Sequence, residues 1–79
     1  MVRYYAGARA AAGVDEEVLD LPAGATVTSL VDALAHRHGP TLARVLAACS
    51  FVVDEVAGGR ERSLDGVRQV DVLPPFAGG

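Results

Sequence analysis

The sequence predicts an α+β fold in which a mixed sheet carries one main helix across one of its faces. Two strand-like segments begin the 79-residue chain, a helical pattern of apolar residues follows, and alternating strand-like residues come near its end. The helix supplies the crossover that parallel neighbours need, so the first and last strands are expected side by side and parallel at the centre of the sheet. The length allows one domain with a small core.

The first two strands are predicted at residues 2–6 and 16–21, joined by a long hairpin loop. The first segment is rich in β-branched and aromatic residues, and the second ends in two leucines that alternate with an aspartate. Residues 7–13 are predicted as a turn, because five residues between glycines make little helix. Tyr4 and Tyr5 point to opposite sides of a strand, so one is expected in the core and the other exposed.

The main helix is predicted by apolar residues that recur at spacings of three and four, namely Val27, Leu30, Val31 and Leu34. Thr26 or Thr28 is expected to cap its start, since a hydroxyl accepts an orphan backbone N–H. Gly39 is expected to end the helix and Pro40 to stop it. A second, shorter helix is predicted at residues 41–48.

Two further strands are predicted at residues 50–56 and 68–73, with turns at residues 57–60 and 63–66. In the last strand, valines alternate with polar residues, which indicates a strand with one buried face. Pro74-Pro75 is expected to end that strand.

Composition argues against several classes of function. Ten acidic residues against seven arginines give a net charge of −3, and the sequence offers no basic patch for nucleic acid. No segment approaches the ~20 apolar residues of a membrane span, and the N-terminal residues do not resemble a signal peptide. We therefore expect neither nucleic acid nor a membrane as a partner. A cytoplasmic location is expected, which the single cysteine, Cys49, also suits.

Isolated polar and reactive side chains are assigned structural roles. Cys49 is expected to be an inert core residue, since a buried cysteine usually behaves as a small hydrophobe. His36 and His38 point in different directions on a helix and have no further ligands nearby in the sequence, so both are expected in solvent and no metal site is expected. The acidic residues 15–17 are expected to form a solvated loop, and the alternative is that they meet basic residues of a partner.

The domain is expected to span residues 1–75, followed by a flexible tail that ends in Gly78-Gly79. Pro74-Pro75 stiffens the base of this tail, and glycines without Cβ make an end thin enough for a narrow channel. The carboxylate of Gly79 is a poor electrophile. Joined to AMP it becomes a mixed anhydride, from which a sulfur nucleophile can displace AMP and leave a thiocarboxylate. The other interpretation of the dipeptide is the frayed end of a plain interaction module.

The C-terminal segment 70–79, with its ending Leu-Pro-Pro-Phe-Ala-Gly-Gly, resembles the C-terminus of the MoaD/ThiS family of ubiquitin-like sulfur carriers. It is most similar to the small subunit of molybdopterin synthase (MoaD). The thiamine sulfur carrier (ThiS) shares the Gly-Gly end but usually lacks the double proline. Residues 2–9 and 11–13 resemble the first strand and loop of the family, and residues 64–66 resemble the turn before its last strand. The resemblance covers the whole chain.

The resemblance implies a ubiquitin-like β-grasp fold and a subunit that is not catalytic alone. A ubiquitin-activating-type enzyme would adenylate Gly79 with ATP, and a sulfurtransferase or cysteine desulfurase would supply the sulfur of a thiocarboxylate. The charged tail would enter the large subunit of molybdopterin synthase, whose side chains transfer sulfur to a cyclic pyranopterin phosphate. No bound cofactor is expected, since the reactive group is the acyl-adenylate or thiocarboxylate of Gly79 itself.

The resemblance also implies roles for particular residues. Gly78 would be needed for passage into the partner, and Phe76 would anchor the tail. Partner-binding positions fall on Tyr5 in the first strand and on Leu73 before the double proline. Arg9 falls on a basic position of the first loop and would pair with acids of the activating enzyme.

Two alternatives stay open in the sequence. The family often has Asn-Gly at the hairpin after the third strand, where this chain has Asp54-Glu55 followed by Gly58-Gly59, so the register of that hairpin is undecided. The pathway is also undecided, since such a carrier can serve thiamine, cysteine or tRNA thiolation, or can be a modifier that joins Gly79 to lysines of other proteins. The chain contains no lysine, so a second copy of it cannot be joined to an ε-amine of the first.

Overall fold

The computed structural model describes residues 1–75, which form a five-stranded mixed sheet with three helices. The strands are β1 (Val2–Tyr4), β2 (Glu16–Glu17), β3 (Ser50–Val53), β4 (Val56–Gly58) and β5 (Val70–Leu73). The helices are α1 (Ala6–Ala12), α2 (Val27–His38) and α3 (Pro40–Leu46). Among residues 1–75, none of these helices has the length and apolar character to cross a bilayer.

The strand order across the sheet is β2-β1-β5-β3-β4. At its centre β1 and β5 run parallel, with Val2 opposite Val70 and Tyr4 opposite Val72, while the other neighbouring pairs are antiparallel. The predicted α+β class and the predicted pairing of the first and last strands are therefore confirmed. The crossover between the two halves of the sheet runs through α2 and α3.

One face of the sheet lies beneath the helices and forms the core, and we call it the covered face. The strands contribute Val2, Tyr4, Phe51, Val53, Val70 and Val72, and the helices contribute Ala8, Val27, Leu30, Leu34, Leu42 and Leu46; each is at most 4% exposed. Alternate residues of each strand reach this face because successive side chains point to opposite sides. Burial of this continuous apolar layer is the main source of stability.

Helix α2 begins and ends as its sequence predicts. The Thr26 hydroxyl accepts the backbone N–H of Ser29 at 3.3 Å, and the Ser29 hydroxyl accepts the N–H of Thr26 at 3.1 Å, which completes a capping box. Gly39, with φ of 97°, ends the helix. Pro40 does more than stop α2, because it is the first residue of α3, where its missing N–H costs nothing.

The turn predicted at residues 7–13 is wrong, because this segment belongs to α1. The first strand accordingly ends at Tyr4 rather than at residue 6. The Tyr5 carbonyl accepts the N–H groups of Ala8 and Arg9 at 3.0 and 3.3 Å, and Gly13, with φ of 80°, ends the helix. Alanine is the best helix former. A helix of seven residues is not stable in isolation, and packing of the buried Ala8 supplies the missing stability.

Strand β2 pairs with β1 as predicted but covers two residues instead of 16–21. Leu19 and Leu21 lie beyond its end and still pack against the core. Val18, the residue between strand and leucines, is 71% exposed. The alternation of the two leucines therefore reports burial against the core and not a strand.

The predicted strand at residues 50–56 is divided between β3 and β4, and the turn predicted at residues 57–60 is wrong, since that segment begins inside β4. The chain reverses at Asp54 and Glu55, with φ of 45° and 70°. A two-residue hairpin requires this left-handed conformation. Two backbone N–H groups of the segment before β5 donate to the Asp54 carboxylate at 2.9 and 3.0 Å and lower its pKa. The register of this hairpin is thereby fixed.

Candidate functional site

The candidate site begins where the central strand β5 ends. The Tyr5 N–H donates to the Val72 carbonyl at 3.2 Å, and Leu73 pairs with Ser50 of β3. Pro74 and Pro75 follow, and their rings leave no N–H for further pairing. The base of the tail is therefore held between β1 and β3 at one end of the sheet.

The tail residues predicted to carry the chemistry are Phe76, Gly78 and Gly79. All three lie outside the residues that the structure describes. Their predicted roles as anchor, slender passage and reactive terminus stay predictions, as does the boundary between domain and tail.

The side of the sheet away from the helices, which we call the open face, leads up to this base. It carries the outward-pointing strand residues Arg3, Glu16, Ser50, Val52, Ala57, Asp71 and Leu73. Within residues 1–75 no helix packs over this face, since the helices cover the opposite side. The open face is thus the part of the sheet available to a partner.

Two predicted partner-binding residues meet at the apolar end of the open face. Tyr5 continues the line of β1 in an extended conformation, with φ of −124° and ψ of 150°, and is 37% exposed, whereas Tyr4 is 2% exposed. The prediction that one tyrosine is buried and the other exposed is confirmed. Leu73 follows Val72, which lies opposite Tyr4, so Tyr5 and Leu73 are neighbours at the end of β5. Together with Pro74 they form an apolar patch at this end of the open face, while the half-buried Val52 lies farther along the sheet, opposite Asp71.

The other end of the open face is charged. Arg3 lies 3.4 Å from Glu16 and has Asp71 opposite it on β5. The Tyr5 hydroxyl, followed by the Glu16 carboxylate, raises the pKa of the Arg3 guanidinium. Glu16 lies across from Arg3, and Tyr5 follows on the same side along the line of β1. These three residues form a charged row that links the charged end of the face to the apolar patch.

Arg9, the third predicted partner-binding residue, does not join the other two. It lies on α1, which packs against α3, and its Nε is 3.7 Å from the Asp15 carboxylate. Its side chain is 57% exposed, so this contact is a weak surface ion pair. Arg9 is available to a partner that approaches from the side of the sheet that the helices cover.

The Glu17 carboxylate is an enclosed charged group that the sequence does not predict. Glu17 was expected in solvent, yet its side chain is 10% exposed. It accepts hydrogen bonds from the Tyr4 hydroxyl at 2.6 Å and from His38 Nε2 at 2.6 Å, and Arg37 lies 3.3 Å away. The expectation of solvent is wrong for Glu17 and for His38. The sequence feature that could have revealed the enclosed Glu17 is Tyr4, since a buried tyrosine hydroxyl needs a hydrogen-bond partner.

Cys49 is a core residue, as predicted. It is 9% exposed, and its thiol donates to the Val45 carbonyl at 3.1 Å. Burial raises the pKa of this thiol, so the reactive thiolate is disfavoured. Among residues 1–75, no three histidine, cysteine or carboxylate side chains are grouped as a metal site would require.

Comparison with known proteins identifies the family. The sequence profile of the ThiS family matches residues 2–79. The chain belongs to the ThiS family. This confirms the expected membership of the MoaD/ThiS sulfur carriers. A relative from Chlamydomonas reinhardtii, the molybdopterin synthase sulfur carrier subunit, is 31% identical over 80 residues, which cover 99% of this chain and 95% of that protein.

Solved structures confirm the ubiquitin-like fold of this ThiS-family chain. SAMP1 from Haloferax volcanii superimposes with a TM-score of 0.84 at 23% identity, covering 99% of this chain and 96% of that one. A Pyrococcus furiosus chain named as molybdopterin converting factor subunit 1 superimposes with a TM-score of 0.74 at 26% identity, covering 95% and 94%. The expected β-grasp architecture is therefore confirmed.

Proposed function

We propose that this chain is the sulfur-carrying small subunit of a molybdopterin synthase. The observation that carries the proposal is the 31% identity to a molybdopterin synthase sulfur carrier subunit over 99% of the chain. The position of Leu73 and the double proline supports it, because the central strand delivers the C-terminal segment beside the apolar patch of the open face.

The proposed chemistry takes place at the carboxylate of Gly79. Its oxygen attacks the α-phosphorus of ATP, pyrophosphate leaves, and the resulting acyl-adenylate is a good electrophile. The persulfide of a sulfurtransferase or cysteine desulfurase then attacks the acyl carbon through its outer sulfur, and AMP leaves. A thiol next cleaves the S–S bond of the resulting acyl disulfide and is oxidised to a disulfide. The product is a thiocarboxylate, which donates its sulfur to cyclic pyranopterin monophosphate in the large subunit.

The described residues contribute binding and orientation to this chemistry. Tyr5 and Leu73 present apolar surface that a large subunit would bury, and aromatic anchors such as Tyr5 are frequent among the residues that dominate binding energy at interfaces. Pro74 and Pro75 restrict the directions in which the tail leaves the sheet. Arg9, exposed on α1, would face acidic residues of the activating enzyme.

The first experiment measures the intact mass of the carrier after incubation with an adenylating enzyme, ATP and a sulfur source. The expected gain equals the replacement of one oxygen by one sulfur. A chain lacking Gly79 is the matched control and should gain nothing. If the chain with Gly79 forms no adenylate and gains no mass, the proposal is wrong.

A protein modifier is the second candidate, and the likeness to SAMP1 favours it, since a further structure of that type is named small archaeal modifier protein 1. A modifier would join Gly79 to lysines of target proteins. Because this chain has no lysine, each carrier in an isopeptide conjugate would be joined to a lysine of the target and never to a lysine of another carrier. Conjugates of that composition would support this candidate, and thiocarboxylate without conjugates would favour the sulfur carrier. Transfer to a thiamine, cysteine or tRNA thiolation system would indicate a different pathway for the same carrier chemistry.

A further inference from the structure

The edge strand β2 is held by an unusual combination of contacts. It has two residues, and its main-chain pairing with β1 is limited to Val2 with Glu17 and Arg3 with Glu16, supplemented by the Tyr4 N–H on the Asp15 carbonyl at 2.9 Å. A strand this short gains little from its ladder, and edge pairs open more readily than central ones. Side chains must supply much of its attachment.

The Glu17 carboxylate supplies that attachment. We define the Glu17 clasp as Glu17 with its three contacts, Tyr4 from β1 and Arg37 and His38 from the C-terminal end of α2. An ionised carboxylate only accepts hydrogen bonds, so the Tyr4 hydroxyl and His38 Nε2 both carry their protons toward Oε2. Arg37 approaches the other oxygen at 3.3 Å.

The clasp joins three separate elements through one side chain. Bonds of 2.6 Å to an ionised acceptor are stronger than neutral ones, and the 10% exposure of Glu17 limits screening by solvent. Loss of the acceptor would leave the hydroxyl of Tyr4, a residue that is 2% exposed, without this partner. By contrast, Glu16 on the same strand makes one exposed contact with Arg3 at 3.4 Å.

The segment around β2 has the form of a unit that can open by itself. It is bounded by glycines in left-handed conformations, Gly13 with φ of 80° and Gly24 with φ of 84°. Val14 and Val18 are already exposed, so the segment buries chiefly Leu19 and Leu21. Few buried contacts and a short ladder are the marks of low local stability.

We propose that the Glu17 clasp is a latch that keeps residues 14–21 closed, and that this segment opens locally when the clasp breaks while β1, β5 and β3 stay paired. Opening also withdraws Glu16 from Arg3, and so alters the charged row that leads to Tyr5 on the open face. The latch is a property of the isolated chain and does not depend on the proposed function.

Hydrogen exchange followed by mass spectrometry tests the latch on the full chain. The variant Glu17→Gln keeps the shape of the side chain and removes its charge. Exchange in residues 14–21 and at the Tyr4 amide should rise about tenfold or more, while exchange in β3 and β5 changes less than about twofold. Glu16→Gln, which removes the same charge from the same strand, should leave residues 14–21 close to the wild-type rate.

Three results would overturn the latch: equal acceleration throughout the sheet, equal acceleration by Glu16→Gln, or no acceleration in residues 14–21. If Glu17→Gln does not fold, Tyr4→Phe decides, because it removes one hydrogen bond and leaves the apolar ring. This variant should accelerate exchange in residues 14–21 several-fold, and no change there would contradict the proposal.

Discussion

The two faces of the sheet are built from the same strands but carry different kinds of residue. On the covered face, the residues of the central strands β1, β3 and β5 are mostly apolar and at most 4% exposed. The open face is charged at one end, around Arg3, and apolar at the other, where Tyr5 and Leu73 lie beside Pro74. Alternation along each strand therefore separates the residues that stabilise the fold from those available to a partner.

The largest expected effect is on stability and comes from the covered face. Leu34→Ala removes a side chain that is 0% exposed and leaves a cavity, so the free energy of unfolding should fall by about 2–5 kcal/mol. Leu73→Ala is the matched change on the open face and should cost about 1 kcal/mol or less, since its side chain is already partly in solvent. Urea unfolding of both variants measures the difference. Equal losses in the free energy of unfolding would contradict the assignment of stability to the covered face.

The next effect is on partner binding and comes from the open face. Tyr5→Ala should weaken binding of the large synthase subunit by about 2 kcal/mol, because a central aromatic anchor is lost, while the urea midpoint changes little. Val56→Ala is the control, since Val56 is 58% exposed but lies on the edge strand β4. Calorimetric titration of each variant measures the affinity. Equal losses for both variants would show that the apolar patch has no special role.

The smallest effect concerns the polar exception on the covered face, Tyr4. Burial, followed by the hydrogen bond to Glu17, raises the pKa of this hydroxyl above its ordinary value of about 10. A raised pKa in the folded state means that this stabilisation is complete below about pH 10 and is lost as the pH rises further. Tyr4→Phe should cost about 1 kcal/mol at neutral pH.

The same variant should decline less steeply than wild type above about pH 10. Urea midpoints measured from about pH 8 to about pH 11 test this. Parallel declines of the two proteins would show that Tyr4 does not contribute to the alkaline loss.

The parts of the fold that the sequence predicts correctly depend on local signals. Thr26 and Gly39 mark the ends of α2 because capping and the left-handed conformation are decided within one turn of helix. The central parallel pairing of β1 with β5 follows from the helical crossover, which runs through α2 and α3. Leu73 and Tyr5 meet for the same reason, since parallel strands bring their ends together.

The parts that the sequence predicts wrongly depend on contacts between distant residues. Helix α1 forms because Ala8 packs into a core that other elements create, and propensity alone does not reveal this. Glu17 is polar and lies among acids, yet Tyr4 and His38 enclose it from β1 and from the end of α2. The hairpin at Asp54 is stabilised by N–H groups about fifteen residues away, at the start of the last strand segment.

Molybdopterin formation by the charged carrier tests directly whether this chain is the sulfur-carrying subunit of a molybdopterin synthase. The thiocarboxylate form is mixed with the large synthase subunit and cyclic pyranopterin monophosphate, and the product is quantified against the uncharged form. We expect molybdopterin in the mixture that contains the thiocarboxylate form and none in the mixture that contains the uncharged form. The amount should be limited by the sulfur that the carrier brings. A chain that accepts sulfur at Gly79 and yet yields no molybdopterin in this mixture would contradict it.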